Sequence, residues 1–205
     1  MNACGGVVGV FNIQGAAFSR EQRRFCTHDP APPTLSAAVR PADIPALAGA
    51  AEAFAVYQDT TQRLQLAGWE DAVALALAPQ AADVVTIAPV LGEADGVQVA
   101  PVGLVGMLNP GGAVRSARLG PCADPGGEEE GWANGAGGEP LPAAGPRCEM
   151  ELRGAGPFLC YASHRPVEVL LGGAAVQFSY DSKQAALRFD LPATGEFRHE
   201  CVVQF

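Results

Sequence analysis

Three histidines, six cysteines and twenty-two acidic residues are the side chains of this sequence best suited to chemistry. The cysteines fall at positions 4, 26, 122, 148, 160 and 201, and no two form the C-x-x-C pair of redox centres and zinc sites. None stands at zinc-ligand spacing from a histidine. Six thiols would allow three disulfides in an oxidising compartment. The first twenty residues, however, lack a basic segment followed by an apolar one, so free thiols in a reducing, cytoplasmic setting are expected. Cys160 lies in an apolar run and reads as a small buried hydrophobe. Among the histidines, His28 with Asp29 opens a Pro-rich turn (HDPAPP), and His164 lies in a connection between two strand patterns. His199 alternates with Arg198 and Glu200 and is expected to face solvent. No Gly-x-Ser-x-Gly elbow or Cys/His pairing accompanies them, so nucleophilic catalysis finds no support.

The glycine-rich pieces are not phosphate cradles. Residues 5–9 (GGVVG) lie within a strand pattern with no Gly-Lys-Ser/Thr after them, and residues 109–112 (NPGG) are a tight turn. Residues 128–130 (EEE) form a solvated charge run. Two carboxylates flanking a glycosidic bond can hydrolyse it, but the acidic residues here fall in turns or on strand exteriors and no pair is singled out. No residue is therefore assigned a catalytic, cofactor-binding or metal-ligating role.

The elements that would position any site are strands. Gly 25 and Pro 17 in 205 residues suit many turns and short strands better than a helix bundle. Strand patterns occupy residues 6–12, 53–58, 63–67, 72–78, 84–88 and 113–119, although the alanines of 72–78 also allow a helix. Residues 97–107 are interrupted by Pro101 and Gly103, as two short strands or an edge would be. Six more follow at 148–153, 158–162, 167–171, 175–180, 185–191 and 197–205. In VQFSY (176–180) and LRFDL (187–191) apolar residues alternate with polar ones, the mark of antiparallel strands with one face on a core. A short helix is expected at residues 41–52, limited by Pro45. Residues 120–146 lack apolar periodicity and read as a flexible Gly-rich loop or insertion. The expectation is an all-β antiparallel sandwich of twelve to fourteen strands, forming one domain over residues 1–205.

Charge excludes some classes. At a net charge of −9, with Lys183 the only lysine, the chain repels phosphate backbones, and nucleic acid is not an expected partner. Arg20, Arg23 and Arg24 come nearest to a basic run and read as a solvated loop. No apolar run approaches the ~18–20 residues of a membrane span.

Five blocks then resemble the raffinose synthase and seed imbibition protein family, in the family's order. The first is MNACGGVVGVFNIQGA (1–16), similar to a stretch that follows the family's catalytic barrel. The second comprises His28-Asp29, TLS (34–36) and VRPADI (39–44). APVGL (100–104), MLN (107–109) and GGAV (111–114) form the third. RGAGPF (153–158) with YASHRP (161–166) is the fourth, and VQFSYDS (176–182) the fifth. The resemblance implies a glycoside hydrolase of the family 36 type, in which a (β/α)₈ barrel with two catalytic Asp residues precedes an antiparallel sandwich. It implies retaining transfer of an α-galactosyl group, from galactinol to sucrose or from a galactoside such as raffinose to water. Both catalytic residues belong to the barrel, and no position of this sequence matches them.

The sequence also departs from the family pattern. Ile13 and Phe18 stand where the family has Cys and Trp, Leu108-Pro110 replaces a Phe and a Ser, and residues 120–146 look inserted. Met1 falls inside the first block, so the expectation is an N-terminally truncated C-terminal domain with an exposed sheet edge. The FSYDS wording leans toward the seed imbibition, or alkaline α-galactosidase, branch. The alternatives are a stand-alone carbohydrate-binding sandwich and an inactive gene fragment. The first would need exposed aromatics on one face, whereas Trp69 and Trp132 lie far apart and Phe178, Tyr180, Phe189, Phe197 and Phe205 suit a core. No cofactor is expected, and the oligomeric state is left open.

Overall fold

The computed structural model describes residues 4–29, 31–121, 145–193 and 198–205. The sequence folds almost entirely into antiparallel strands. In chain order these are β1 (Gly6–Phe11), β2 (Ala16–Ser19), β3 (Arg24–Thr27), β4 (Leu35–Val39), β5 (Ala53–Gln58) and β6 (Arg63–Gly68). Next come β7 (Val73–Leu77), β8 (Ala82–Pro89), β9 (Glu93–Ala94), β10 (Val97–Leu104), β11 (Val114–Gly120) and β12 (Arg147–Arg153). The last are β13 (Gly156–Ala162), β14 (Glu168–Leu171), β15 (Ala174–Ala175), β16 (Phe178–Asp181), β17 (Ala186–Leu191) and β18 (Arg198–Gln204).

The strands pair as β1-β8-β5-β6, β16-β17-β13-β10-β9 and β11-β12-β18-β14-β15, with β2-β3 and β4-β7 as two-stranded pieces. Three apolar interfaces stack these sheets. Val39, Val73 and Leu75 of β4 and β7 pack on Phe54, Val56, Val85 and Ile87 of the first sheet. The other face of that sheet, with Ala55, Tyr57 and Ala88, meets Ala100, Val102, Leu159 and Tyr161 of the second. The second sheet's far face, through Val99, Phe158, Cys160 and Leu187, covers Cys148, Met150, Leu152, Cys201 and Val203 of the third. The central strands of the two middle sheets are thus buried on both faces. This is why AFAVYQ (53–58) and the apolar end of β13 read as continuous hydrophobic runs and not as alternating ones. The third sheet keeps one wet face, and there the alternation is clean: β12 is RCEMELR, with Cys148, Met150 and Leu152 buried and Glu149 and Glu151 outward.

A bulge in β10 shows how the stacking is tuned. Val97 and Val99 face the third sheet while Ala100 and Val102 face the first, but Leu104 is again on the third-sheet side. Strict alternation would put it with Val102. The register against β13 shifts between Pro101 and Gly103, and that one extra residue turns Leu104 over. Pro101 is tolerated because on that side β9 reaches only Val97 and Gln98, the Leu91 N–H meets the Val99 carbonyl, and no strand pairs beyond. Within the interrupted run of residues 97–107, Val97–Leu104 is therefore one bulged strand, covered on its outer side only by the short β9.

The all-β antiparallel class is as expected, and several details differ. Eighteen strands are present among the described residues; the additions are the β2-β3 hairpin, β4, β9 and a division of residues 175–180. That division is a change of sheet. β15 pairs with β14 in the third sheet, whereas β16 pairs with β17 in the second. The apolar alternation survives the crossing, with Val176, Phe178 and Tyr180 all packed on the same core. The helix expected over residues 41–52 is instead two 3₁₀ turns, Pro41–Asp43 and Pro45–Leu47. Pro45 offers no N–H to continue the first turn. Asp43 closes that turn by accepting the Arg40 backbone N–H at 2.8 Å. Residues 122–144, the bulk of the Gly-rich segment, lie outside the described residues.

Candidate functional site

The described histidines do not converge. His28 is exposed just past β3, its backbone N–H donating to the Gly15 carbonyl at 2.7 Å. His164 is exposed after β13, with its Nδ1 3.0 Å from Ser163 Oγ. His199 corrects the surface expectation: it is buried with Cys201 and Val203 on the inner side of β18. There its Nε2–H donates to the Gly154 carbonyl at 2.9 Å and ties β18 to the β12-β13 turn. The alternation with Arg198 and Glu200 was legible, but its phase was not.

Cys148, Cys160 and Cys201 share the core between the second and third sheets. Burial pushes the Cys148 and Cys201 thiols up to about 12, and Cys160 well above its ordinary value. Such groups are not nucleophiles at neutral pH. They and Cys26 carry free thiols, as expected; Cys122 lies outside the described residues. Among the described residues, no group of three or more His, Cys, Asp and Glu side chains is placed to hold a metal ion. None of the helices there is long and apolar enough to cross a membrane.

Carboxylates gather on the wet face of the third sheet. Glu151 and Glu200 are cross-strand partners and line one shallow groove with Arg198. Glu149 accepts from Arg118 and Arg147, each at 2.8 Å, and the Arg118 hydrogen bond holds its carboxyl below the usual range. Glu151 pairs with Arg115 at 3.2 Å. A glycosidase acid needs an apolar, water-poor pocket that keeps it protonated. These carboxylates lie on an open face beside guanidinium groups, the opposite environment.

The most distinctive feature is an apolar corner at the end of β1. Asn12 builds it. Its side chain is 1 % exposed, donates through Nδ2 to the Leu77 carbonyl at 3.0 Å and the Pro33 carbonyl at 3.1 Å, and accepts the Gln14 N–H at 3.1 Å. Its backbone N–H donates to the Ala81 carbonyl and its carbonyl accepts from Gln80. This side chain thus clamps the exit of β1 to β7 and to the approach to β4. Beyond the clamp, Gly15 takes φ +70 to start the β2-β3 hairpin, and an added Cβ there would run into the Asp29 side chain. On the hairpin Phe18 and Phe25 meet edge to face at 5.5 Å. Phe25, Phe11 and Ile13 line a cavity of about 310 Å³ with Ala16 and Ala81. Arg20 and Arg23, expected in a solvated loop, stand exposed in the turn of this hairpin, and Arg24, also exposed, opens β3. Four-residue strands with exposed phenylalanines carry no periodicity that would reveal them.

Asn12 sits within the first block of resemblance, and the family comparison bears on that block directly. A sequence model described as raffinose synthase or seed imbibition protein Sip1 matches residues 1–191. The chain belongs to this family. Its relatives include a probable galactinol–sucrose galactosyltransferase 5 of Arabidopsis thaliana, 31% identical over 92% of this chain and 22% of the relative. A galactinol–sucrose galactosyltransferase of Oryza sativa subsp. japonica is 31% identical over 100% of this chain and 24% of its own length. A stachyose synthase of Pisum sativum is 27% identical over 87% of this chain and 19% of the relative. The chain therefore spans 19 to 24% of the length of these relatives.

Proposed function

We propose that this chain is the C-terminal accessory β domain of an α-galactosyl-transferring enzyme, with the chemistry carried by a barrel outside the matched segment. The reaction is retaining transfer from galactinol to sucrose, or from a galactoside to water. One observation carries the reading: nearly the whole chain aligns with under a quarter of proteins named galactinol–sucrose galactosyltransferase. The geometry supports it, since the carboxylates at hand lie open and ion-paired on a sheet face. Trp69, which a sugar-stacking platform would present, is instead packed against Phe54 at 5.8 Å. Residence in the cytoplasm is part of the proposal and is supported by the free thiols of Cys26, Cys148, Cys160 and Cys201.

The test is chromatographic detection of raffinose from galactinol and sucrose. The chain alone forms none and releases no p-nitrophenol from p-nitrophenyl α-galactoside. Joined to the part of the rice relative outside the matched segment, it supports raffinose formation. Turnover by the purified chain alone, or a folded but inactive fusion beside an active rice enzyme, would overturn the proposal.

A further inference from the structure

We infer that the apolar corner built by β1 and the β2-β3 hairpin is a docking surface for the part of a family-length polypeptide outside the matched segment, and that this part presents an apolar patch rimmed by carboxylates. The inference rests on the accessory-domain reading and adds to it the place and chemistry of the contact. Phe11, Ile13, Phe18 and Phe25 are 64, 71, 54 and 73% exposed. They make up half of the large exposed hydrophobics among the described residues and fall within fifteen positions of the chain. Phe18 touches Phe25, and Phe25 shares the cavity with Phe11 and Ile13, so the patch is continuous. Continuous apolar surface of this kind marks an interaction site, whereas scattered single residues do not.

The corner is also preorganised. A two-stranded hairpin is marginal by itself, yet this one is held at its root by the fully satisfied Asn12 side chain and by His28 and Asp29 N–H groups on the Gly15 carbonyl. A surface already ordered loses little freedom on docking.

Charge chooses the occupant. Arg20, Arg23 and Arg24, three of the thirteen basic residues in a chain of net charge −9, stand exposed at the hairpin tip. A second copy docked through the same corner would bring two such tips, each of net positive charge even with Glu21 between the arginines, into one interface. A partner with carboxylates around an apolar centre pairs with them instead. About three quarters of each relative lies outside the matched segment, so family-length proteins hold ample polypeptide to supply it.

Hydrogen–deuterium exchange read by mass spectrometry tests this on the isolated chain and on the same chain fused to the rice relative's remaining part. Backbone amides of β2 and β3 are expected to exchange about tenfold or more slowly in the fusion. Those of β12 and β18 should not change. Phe18→Ser with Phe25→Ser should abolish the added protection, and Arg20→Glu with Arg23→Glu should do the same if the phenylalanine variant does not fold. Equal exchange in both proteins, or protection on another face, overturns the inference. So does hairpin protection in the isolated chain that disappears on dilution, which would make a second copy the occupant. Raffinose formation by the same fusion separates the two proposals. Protection without raffinose sinks the galactosyl-transfer reading and leaves the docking surface standing. Raffinose without protection does the reverse.

Discussion

Gly103 lies so close to the carbonyl of Pro110 that no side chain fits between them. Gly103 ends the bulge of β10 at φ +117, and Pro110 opens the 3₁₀ turn Pro110–Ala113 that packs on this strand. The bulge turns Leu104 into the core between the second and third sheets, so this one contact sets a core residue's direction.

Gly103→Ala combines a disfavoured backbone conformation with overpacking, each costing about 1–3 kcal/mol. Gly96, at φ +80 with open space where a Cβ would go, isolates the backbone part. Thermal unfolding of both variants should show Gly96→Ala melting a few degrees low and Gly103→Ala far lower or unfolded. Equal losses would mean that the approach to Pro110 is not restrictive.

Asn12→Ala should cost about 2–4 kcal/mol in urea unfolding. It removes one buried amide and strands two carbonyls and the Gln14 N–H, and each unsatisfied buried group costs about 1–3 kcal/mol before relaxation. Asn12→Asp keeps the acceptor and loses both donations, so it should also destabilise strongly. A loss below about 0.5 kcal/mol in both would show that the clamp is dispensable.

Thr86 presents the reverse case. It is 1% exposed, and its hydroxyl has no hydrogen-bond partner among the described residues. In register with Tyr57 on β5, it points into the interface between the first and second sheets. Thr86→Val removes an unsatisfied polar atom at nearly constant volume, so stability should rise by about 0.5–1.5 kcal/mol. A drop in melting temperature would reveal that the hydroxyl has a partner.

The buried thiols give a pH dependence of known sign. Folded Cys148 and Cys201 hold their protons up to about 12, against 9.0 for the unconstrained thiol. Above pH 9 the folded state therefore binds more protons than the unfolded one, and stability falls with rising pH. The contribution is complete below about 9 and is lost progressively toward 12. Urea midpoints across that range should decline, and less steeply in Cys148→Ala with Cys201→Ala compared at each variant's own starting stability. At pH 8, a thiol reagent followed by peptide mapping should label Cys26 and leave Cys148, Cys160 and Cys201 unmodified until denaturant is added. Rapid labelling of these three in the folded protein would refute their burial.

Where a strand has one wet face, the sequence alone revealed it. In RCEMELR and LRFDL the pleat sends successive side chains to opposite sides, and polar and apolar residues follow that period. Turn residues marked the ends, and family wording supplied the kinship. The apolar corner was not legible, because an exposed phenylalanine looks the same in sequence as a buried one.

Only the tertiary structure decided which strands meet and which way their faces point. β1 pairs with β8 across some seventy intervening residues, and β15 and β16 part into different sheets within one apparent strand. His199 shows the difference in one residue. Its alternation is fixed by local backbone geometry, but whether its side is the inner one depends on the sheet that packs against it. Period is a property of neighbours along the chain. Phase, sheet order and the exposure of the β2-β3 corner come from contacts between residues far apart in sequence, which no short window contains.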